Sequence, residues 1–359
     1  MIFLRSTLRE LTTAGVAVFA VLLVITFTSQ LIRLLGSAAR GRIPADAVMT
    51  LMGFAALGYL SVLLSATVFL AVLLTLTRAY RDSEMVVWQT SGLGLISWFR
   101  PVVLFAAPVV LAVGALSTTL TPWAVGKVEE YRHQLANRDD VSAVSPGVFK
   151  ESRNAERVFF VENLSSDLTQ VTNIFVHELR KQRQGVVVAR RGYLETTDDG
   201  DRYLVMADGR HYAGTPGQAD YRVETFGRYA LRIEHSETKS FLPSHKSQPT
   251  RALLADPSPA NLGELSFRFG LPVATVILAL LAIPMSAVNP RAGRAVNLIA
   301  AVFVFMIYSN LVSVSQAWVG QRRLPPEIGV WIVHAVMAGV LAVLLARRMG
   351  RLRIRLRRR

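Results

Sequence analysis

LTTAGVAVFAVLLVITFTSQLI, residues 11–32, holds no Asp, Glu, Lys or Arg. About 20 apolar residues are what an α-helix needs to cross the hydrocarbon core of a bilayer, where every backbone polar group must be paired within the segment. Further runs without those four residue types lie at 47–77, 101–126, 269–290, 295–321 and 328–346. The spacing therefore predicts an α-helical membrane protein with six transmembrane helices, three on either side of a polar insert. The second run exceeds a straight crossing, so a tilted helix is expected, entered by an interfacial turn near Pro44. Ser37-Ala38-Ala39 faintly resembles a signal-peptide cleavage site, but the run before it is longer than a signal core, and Gln30 and Arg33 intervene.

Composition agrees with a bilayer solvent: the chain of 359 residues is 52% hydrophobic, with a mean hydropathy of +0.36. It has no cysteine, which excludes disulfides, thiolate metal sites and a cysteine nucleophile. The net charge of +15 is unevenly distributed, since residues 127–268 contain 20 basic and 20 acidic side chains and the remainder 20 basic and 5 acidic. The excess thus belongs to the membrane flanks, which argues against a nucleic-acid partner. Arginines set the orientation. The termini and even-numbered connections carry Arg5, Arg9, Arg78, Arg81, Arg100, Arg291, Arg294 and eight more between Arg347 and Arg359. The short odd-numbered connections carry only Arg33, Arg40, Arg42, Arg322 and Arg323. The positive-inside rule then predicts cytoplasmic termini and an extracytoplasmic insert.

Within the insert the hydrophobic period falls to two. Tyr221, Val223 and Thr225 alternate with Arg222 and Glu224, and Tyr229, Leu231 and Ile233 alternate with Arg228, Arg232 and Glu234. Similar runs at 157–162, 171–179, 186–194 and 202–207, with Asp-Asp-Gly and Ala-Asp-Gly as turns between some of them, predict a β-sandwich or jellyroll. Residues 236–262, rich in Ser, Pro, Lys and Thr, read as the linker back to the membrane. The expected divisions are 1–126 (helices one to three), 127–268 (β domain and linker) and 269–359 (helices four to six and a basic tail).

Catalytic signatures are missing. There is no G-x-x-x-x-G-K-[ST] loop, so any ATP is hydrolysed by a partner, and the six runs lack the ionisable residues that ion-coupled transport and membrane-embedded catalysis use. His334 is the one histidine in a run and reads as a packing or hydrogen-bonding residue rather than a proton relay, and the scattered histidines predict no metal site.

The connection at 78–100 is the most informative loop. It contains Arg81-Asp82-Ser83-Glu84-Met85-Val86-Val87-Trp88-Gln89-Thr90-Ser91-Gly92, where Asp82 or Ser83 can cap a short helix and Gly92 can end it. Met85, Trp88 and Gln89 would share one face, offered either to a groove on a cytoplasmic partner or to lipid. A second hairpin, Asn289-Pro290-Arg291-Ala292-Gly293-Arg294, breaks and reverses the helix, either as a topological device alone or as a contact. On the opposite side Arg33, Arg40, Arg42, Arg322 and Arg323 can hold phosphate through charge-assisted bonds or can simply be solvated.

These motifs carry a family resemblance. The order of three helices, β domain and three helices resembles the F and G permease subunits of the lipopolysaccharide-export ABC transporter over the whole chain. Its sharper elements are residues 5–10, Arg33-Leu34-Leu35-Gly36, Ile43-Pro44-Ala45, Asp82-Ser83-Glu84-Met85 with Ser91-Gly92-Leu93, and PMSAVNPRAGR at 284–294, the last similar to the F type. The resemblance implies a non-catalytic inner-membrane subunit paired with a G-like permease. It also implies a dimeric cytoplasmic ATPase that uses ATP and magnesium, a single-helix jellyroll subunit and a periplasmic bridge protein. The cargo would be lipopolysaccharide, handed to a periplasmic β-jellyroll, and this chain would bind no cofactor. By the same resemblance Asp82, Ser83, Glu84, Met85, Trp88, Gln89 and Gly92 form the ATPase-coupling helix. Helices one and five line the lipid cavity, with Arg33 near the headgroup and Gln30 where the family often has a basic residue. A competing reading is a membrane scaffold that organises envelope proteins and transports nothing.

Overall fold

The computed structural model describes residues 2–40, 43–141, 147, 149–151, 157–164, 170–180, 183–196, 202–214, 222–232, 243–287 and 294–349. They form two compact units, Met1–Tyr131 with Pro243–Arg359, and Arg132–Leu242.

The first unit is helical. Its elements are α1 (Ile2–Ala39), α2 (Ala47–Arg81), the short α3 (Glu84–Thr90), α4 (Phe99–Ala115), α5 (Thr121–Val141), the short α6 (Thr250–Ala255), α7 (Pro259–Met285), α8 (Arg294–Gly320) and α9 (Pro326–Arg348). Leu116–Leu120 is a π-helical turn between α4 and α5 that keeps the third crossing continuous. Among the described residues, six helices are long and apolar enough to span a membrane. The expected turn before α2 is present, with the Ala47 amide donating to the Pro44 carbonyl.

α2 and α7 are the central helices. Of their most apolar stretches 67% and 61% is buried, against 11% in α1 and 22% in α8. Phe69, Leu73, Leu76, Leu278 and Ile283 meet in their shared core. Because lipid is as apolar as leucine, such packing relies on shape and on interhelical hydrogen bonds. Thr275 on α7 donates to Ser65 on α2 (2.9 Å), and Asn297 on α8 donates to Thr77 (3.0 Å). His334 on α9 hydrogen-bonds the buried Tyr308 hydroxyl on α8 at 2.7 Å, the packing role its sequence context predicts.

The second unit is one antiparallel sheet in chain order: β1 (Lys150–Glu151), β2 (Arg157–Leu164), β3 (Gln170–Arg180), β4 (Arg183–Thr196), β5 (Arg202–Gly214) and β6 (Arg222–Arg232). This is the inserted β domain the alternation predicts. Val161, Ile174, Val187, Leu204, Met206 and Leu231 form its core.

Two local readings change. Ala207-Asp208-Gly209, expected as a turn, lies inside β5. Asp208 adopts a left-handed φ of 55°, which Asp tolerates, and the ladder resumes at Gly209 opposite Phe226. The two alternating runs near 223 and 231 join into one strand, in which Val223 is exposed while Phe226, Tyr229 and Leu231 face the core. The expected Asp198-Asp199-Gly200 turn, and Tyr221, Ile233 and Glu234, lie outside the described residues.

The linker is also shorter than expected. Ser258 accepts the Asn261 amide and Pro259 occupies the first turn, so α7 starts ten residues before the apolar run that predicts it.

Candidate functional site

α3 is too short to be stable alone and holds its place through its neighbours. Ser83 turns the chain with a left-handed φ of 61° and stands at the N-cap without a side-chain cap bond. Asp82 pairs instead with Arg81 (3.2 Å) and Arg78 (3.5 Å) of α2, so neither expected residue gives α3 a side-chain cap. Gly92 ends the helix as expected: at φ 87° it lets its amide reach Gln89 and the Leu93 amide reach Trp88.

The expected outward face is turned around. Met85 is 2% exposed and belongs to the helical core. Trp88 packs on Phe3 of α1 with ring centroids 5.0 Å apart, and Phe3 also meets Trp98 at 4.9 Å. The largest apolar side chains of a seven-residue helix anchor it, leaving Gln89 as the exposed member of the predicted trio. The exposed apolar residues are Val86 (58%), Val87 (64%) and, just beyond the helix, Ile96 (62%).

Arg78 ties this region together. Its guanidinium donates to Glu84 at 3.1 Å and to Glu10 of α1 at 2.9 Å. Each of these pairs is half exposed and is worth only about 0–1 kcal/mol, but together they fix α1, α2 and α3 in one arrangement. Phe3 carries no signal in a single sequence beyond lying just before the first apolar run, and Glu10 enters only within the 5–10 stretch of the family resemblance.

The arginines expected on the side opposite the termini, with Gln30, separate into two groups. Arg33 is exposed on α1 and Arg40 just after it, whereas Gln30 is buried. Arg322 and Arg323 are exposed after α8, with Arg322 at a left-handed φ of 59° that closes the helix. α1 packs on α2 and α4, while α8 packs on α7, α9 and α2, so the chain does not bring the two groups onto neighbouring helices. A groove of about 560 Å³ lies between α1 and α2, lined by Leu23, Phe27, Met49, Phe54, Leu57 and Leu60 among others. Arg42, Asn289, Pro290, Arg291 and Gly293 lie outside the described residues, and Arg294 begins α8.

A charged site missed in the sequence lies inside α7. Arg268 and Glu264 pair at 3.0 Å with side chains 2% and 9% exposed. Arg268 also donates to Thr250 Oγ1 (2.8 Å) and to the carbonyls of His245, Lys246 and Gln248 at 3.0–3.2 Å. The second Glu264 oxygen accepts from Gln316 of α8 at 2.9 Å. Glu264 and Arg268 stand four residues apart, a spacing that favours a helical ion pair. Ending the predicted span at the first charge hid it.

The family model for lipopolysaccharide export system permease LptF/LptG matches residues 5–347. The chain belongs to this family. It is 26% identical over 347 residues to lipopolysaccharide export system permease protein LptF of Escherichia coli (strain K12), covering 96% of this chain and 94% of that one. The LptF protein of Shigella flexneri gives the same identity and coverage. The chain is accordingly a permease of the lipopolysaccharide export system and a homologue of LptF. It is a non-catalytic, multi-pass inner-membrane subunit that works within a transport complex, and its six apolar helices and inserted sheet fit that family's fold.

Proposed function

We propose that this chain is the F-like half of a heterodimeric permease that extracts lipopolysaccharide from the outer leaflet of the inner membrane. The other half is a G-like subunit. A dimeric cytoplasmic ATPase binds α3, and the β domain passes the lipid to a single-helix jellyroll subunit and a periplasmic bridge protein. ATP and magnesium belong to the ATPase. The termini and α3 are cytoplasmic in this reading, in keeping with fifteen arginines on that side against five on the other.

The exposed surface of Val86 and Val87 on an anchored helix, with Ile96 just beyond it, is the observation that carries the reading. Its inner face is fixed by Met85 and Trp88, so a push on the outer face moves α2 and α1 with it. The segment from Asp82 to Gly92 is thus the coupling element, with Glu84 as its acidic end. The broad unpaired faces of α1 and α8 suit a lateral opening for a multi-acyl lipid, closed by the second subunit. Arg33, Arg40, Arg322 and Arg323 supply donors for headgroup phosphates.

Affinity purification of the tagged chain in mild detergent tests this. The chain is expected to carry a P-loop ATPase, a second six-helix permease and bound lipopolysaccharide. Val87→Asp places a carboxylate in the apolar contact and is expected to lower ATPase recovery at least about tenfold while keeping the second permease. Full ATPase recovery with Val87→Asp would remove α3 as the contact.

A further inference from the structure

Both chain connections of the β unit are clamped at the outer end of the helical unit. The outgoing connection is α5, and its Glu129 accepts from the Ser244 hydroxyl (2.5 Å) and the Ser244 amide (3.2 Å) of the returning one. The returning stretch is then held by Arg268, which donates to three of its carbonyls, and by His245, which bonds Asn261 of α7 at 2.7 Å. Thr250 extends the clamp to the π turn, donating to the Thr118 carbonyl at 2.5 Å, and Ser117 of that turn donates to the Arg268 carbonyl at 2.9 Å. Every link so far joins α5, the π turn, α7 and the returning chain.

One hydrogen bond carries this group to α8. Glu264 gives one oxygen to Arg268 and the other to Gln316 of α8. Beside it the α7 and α8 backbones come close, because a Cβ on Gly263 would lie 2.7 Å from the Gln316 carbonyl oxygen. α8 is otherwise mostly exposed along its apolar length. The clamp is therefore joined to α8 through a neutral amide, on a helix that is otherwise held by packing on α7 and α9 and, away from the clamp, by Asn297 to Thr77 and by Tyr308 to His334. The Gln316 bond can break without dismantling the Arg268 centre, whose other bonds do not depend on α8.

We propose that Gln316 is a positioning residue that ties displacement of α8 to the clamp, so that movement of the lipid-facing helix is passed to the two connections of the β unit. When α8 shifts, one buried carboxylate oxygen loses its donor, which is unfavourable and biases the pair of states. The proposal rests on the lipid-exporting reading given above.

The test uses the whole permease complex in proteoliposomes loaded with lipopolysaccharide, comparing the unsubstituted chain, Gln316→Leu and Gln316→Lys. The readout is ATP hydrolysed per lipopolysaccharide released. Gln316→Leu is expected to assemble in normal yield and to raise that ratio about tenfold, the scale of a typical coupling between two sites. Gln316→Lys offers Glu264 a cation and is expected to restore the ratio to within about twofold. An unchanged ratio in Gln316→Leu, or no restoration by lysine, overturns the proposal. So does a loss of complex yield that parallels the loss of transport, because the residue is then structural only. If the unsubstituted complex releases no lipid on ATP addition, the exporting reading fails and this inference falls with it.

Discussion

Arg268→Met is expected to destabilise the helical unit by about 3–5 kcal/mol, the usual result of removing one member of a buried ion pair. Methionine keeps much of the volume, so the loss is electrostatic and polar rather than a cavity. Glu264 would remain in a site where its side chain is 9% exposed, with Gln316 as its remaining donor. The carbonyls of His245, Lys246 and Gln248 would lose a shared donor, and so would the Thr250 hydroxyl. Buried acceptors without donors each add to the cost. The measurement is thermal unfolding of the detergent-purified complex, together with the amount of chain accumulated in membranes. Adding Glu264→Gln to Arg268→Met is expected to recover part of the loss, since it removes the stranded charge although the carbonyls stay unpaired. A melting temperature for Arg268→Met equal to that of the unsubstituted chain would show that the pair contributes nothing net.

The same pair shows why the membrane helices were legible and their ends were not. Composition marks a span wherever lipid contacts the side chains, and α8 and α9, with few buried residues, follow their apolar runs within a few positions. α7 is different because protein surrounds it. Glu264 and Arg268 are admitted by partners contributed from residues 245–250 and 316, and no local pattern reveals partners so far away in sequence. A signal was nonetheless present at the start of that helix. Ser258-Pro259 has the cap and first-turn residues of an α-helix, and these outrank a charge as a boundary marker.

α3 was legible in extent but not in orientation. Ser83 and Gly92 bracket it as expected, yet a helix of two turns presents apolar residues on both sides, Met85 and Trp88 on one and Val86 and Val87 on the other. Periodicity cannot tell which pair faces inward. The decision is made by Phe3, whose ring fills the space between Trp88 and Trp98. In the sheet, alternation identified the strands, but Asp208 mimicked a turn because the residues that tolerate left-handed backbone in a turn also tolerate it within a strand.

Gly263→Leu tests the approach of α7 to α8 and is expected to cost about 1–3 kcal/mol or more, as overpacking of a tight interior does. The added Cβ alone would lie 2.7 Å from the Gln316 carbonyl oxygen and 3.1 Å from the Gly320 amide nitrogen. Both are backbone atoms, so a rotamer change cannot relieve the contact and α8 itself must move. Small residues serve this purpose in membrane helices, letting backbones approach where the hydrophobic effect gives no drive to associate. A shift of α8 at this level also lengthens the Gln316–Glu264 bond, one residue further along α7. Loss of stability should therefore grow from Gly263→Ala to Gly263→Leu, measured as the melting temperature of the purified complex. Equal melting temperatures across that series would mean that α7 and α8 are not in close backbone contact at this point. If stability falls while the ratio of ATP hydrolysed to lipid released stays normal, the close approach serves packing alone and the Gln316 bond tolerates the shift.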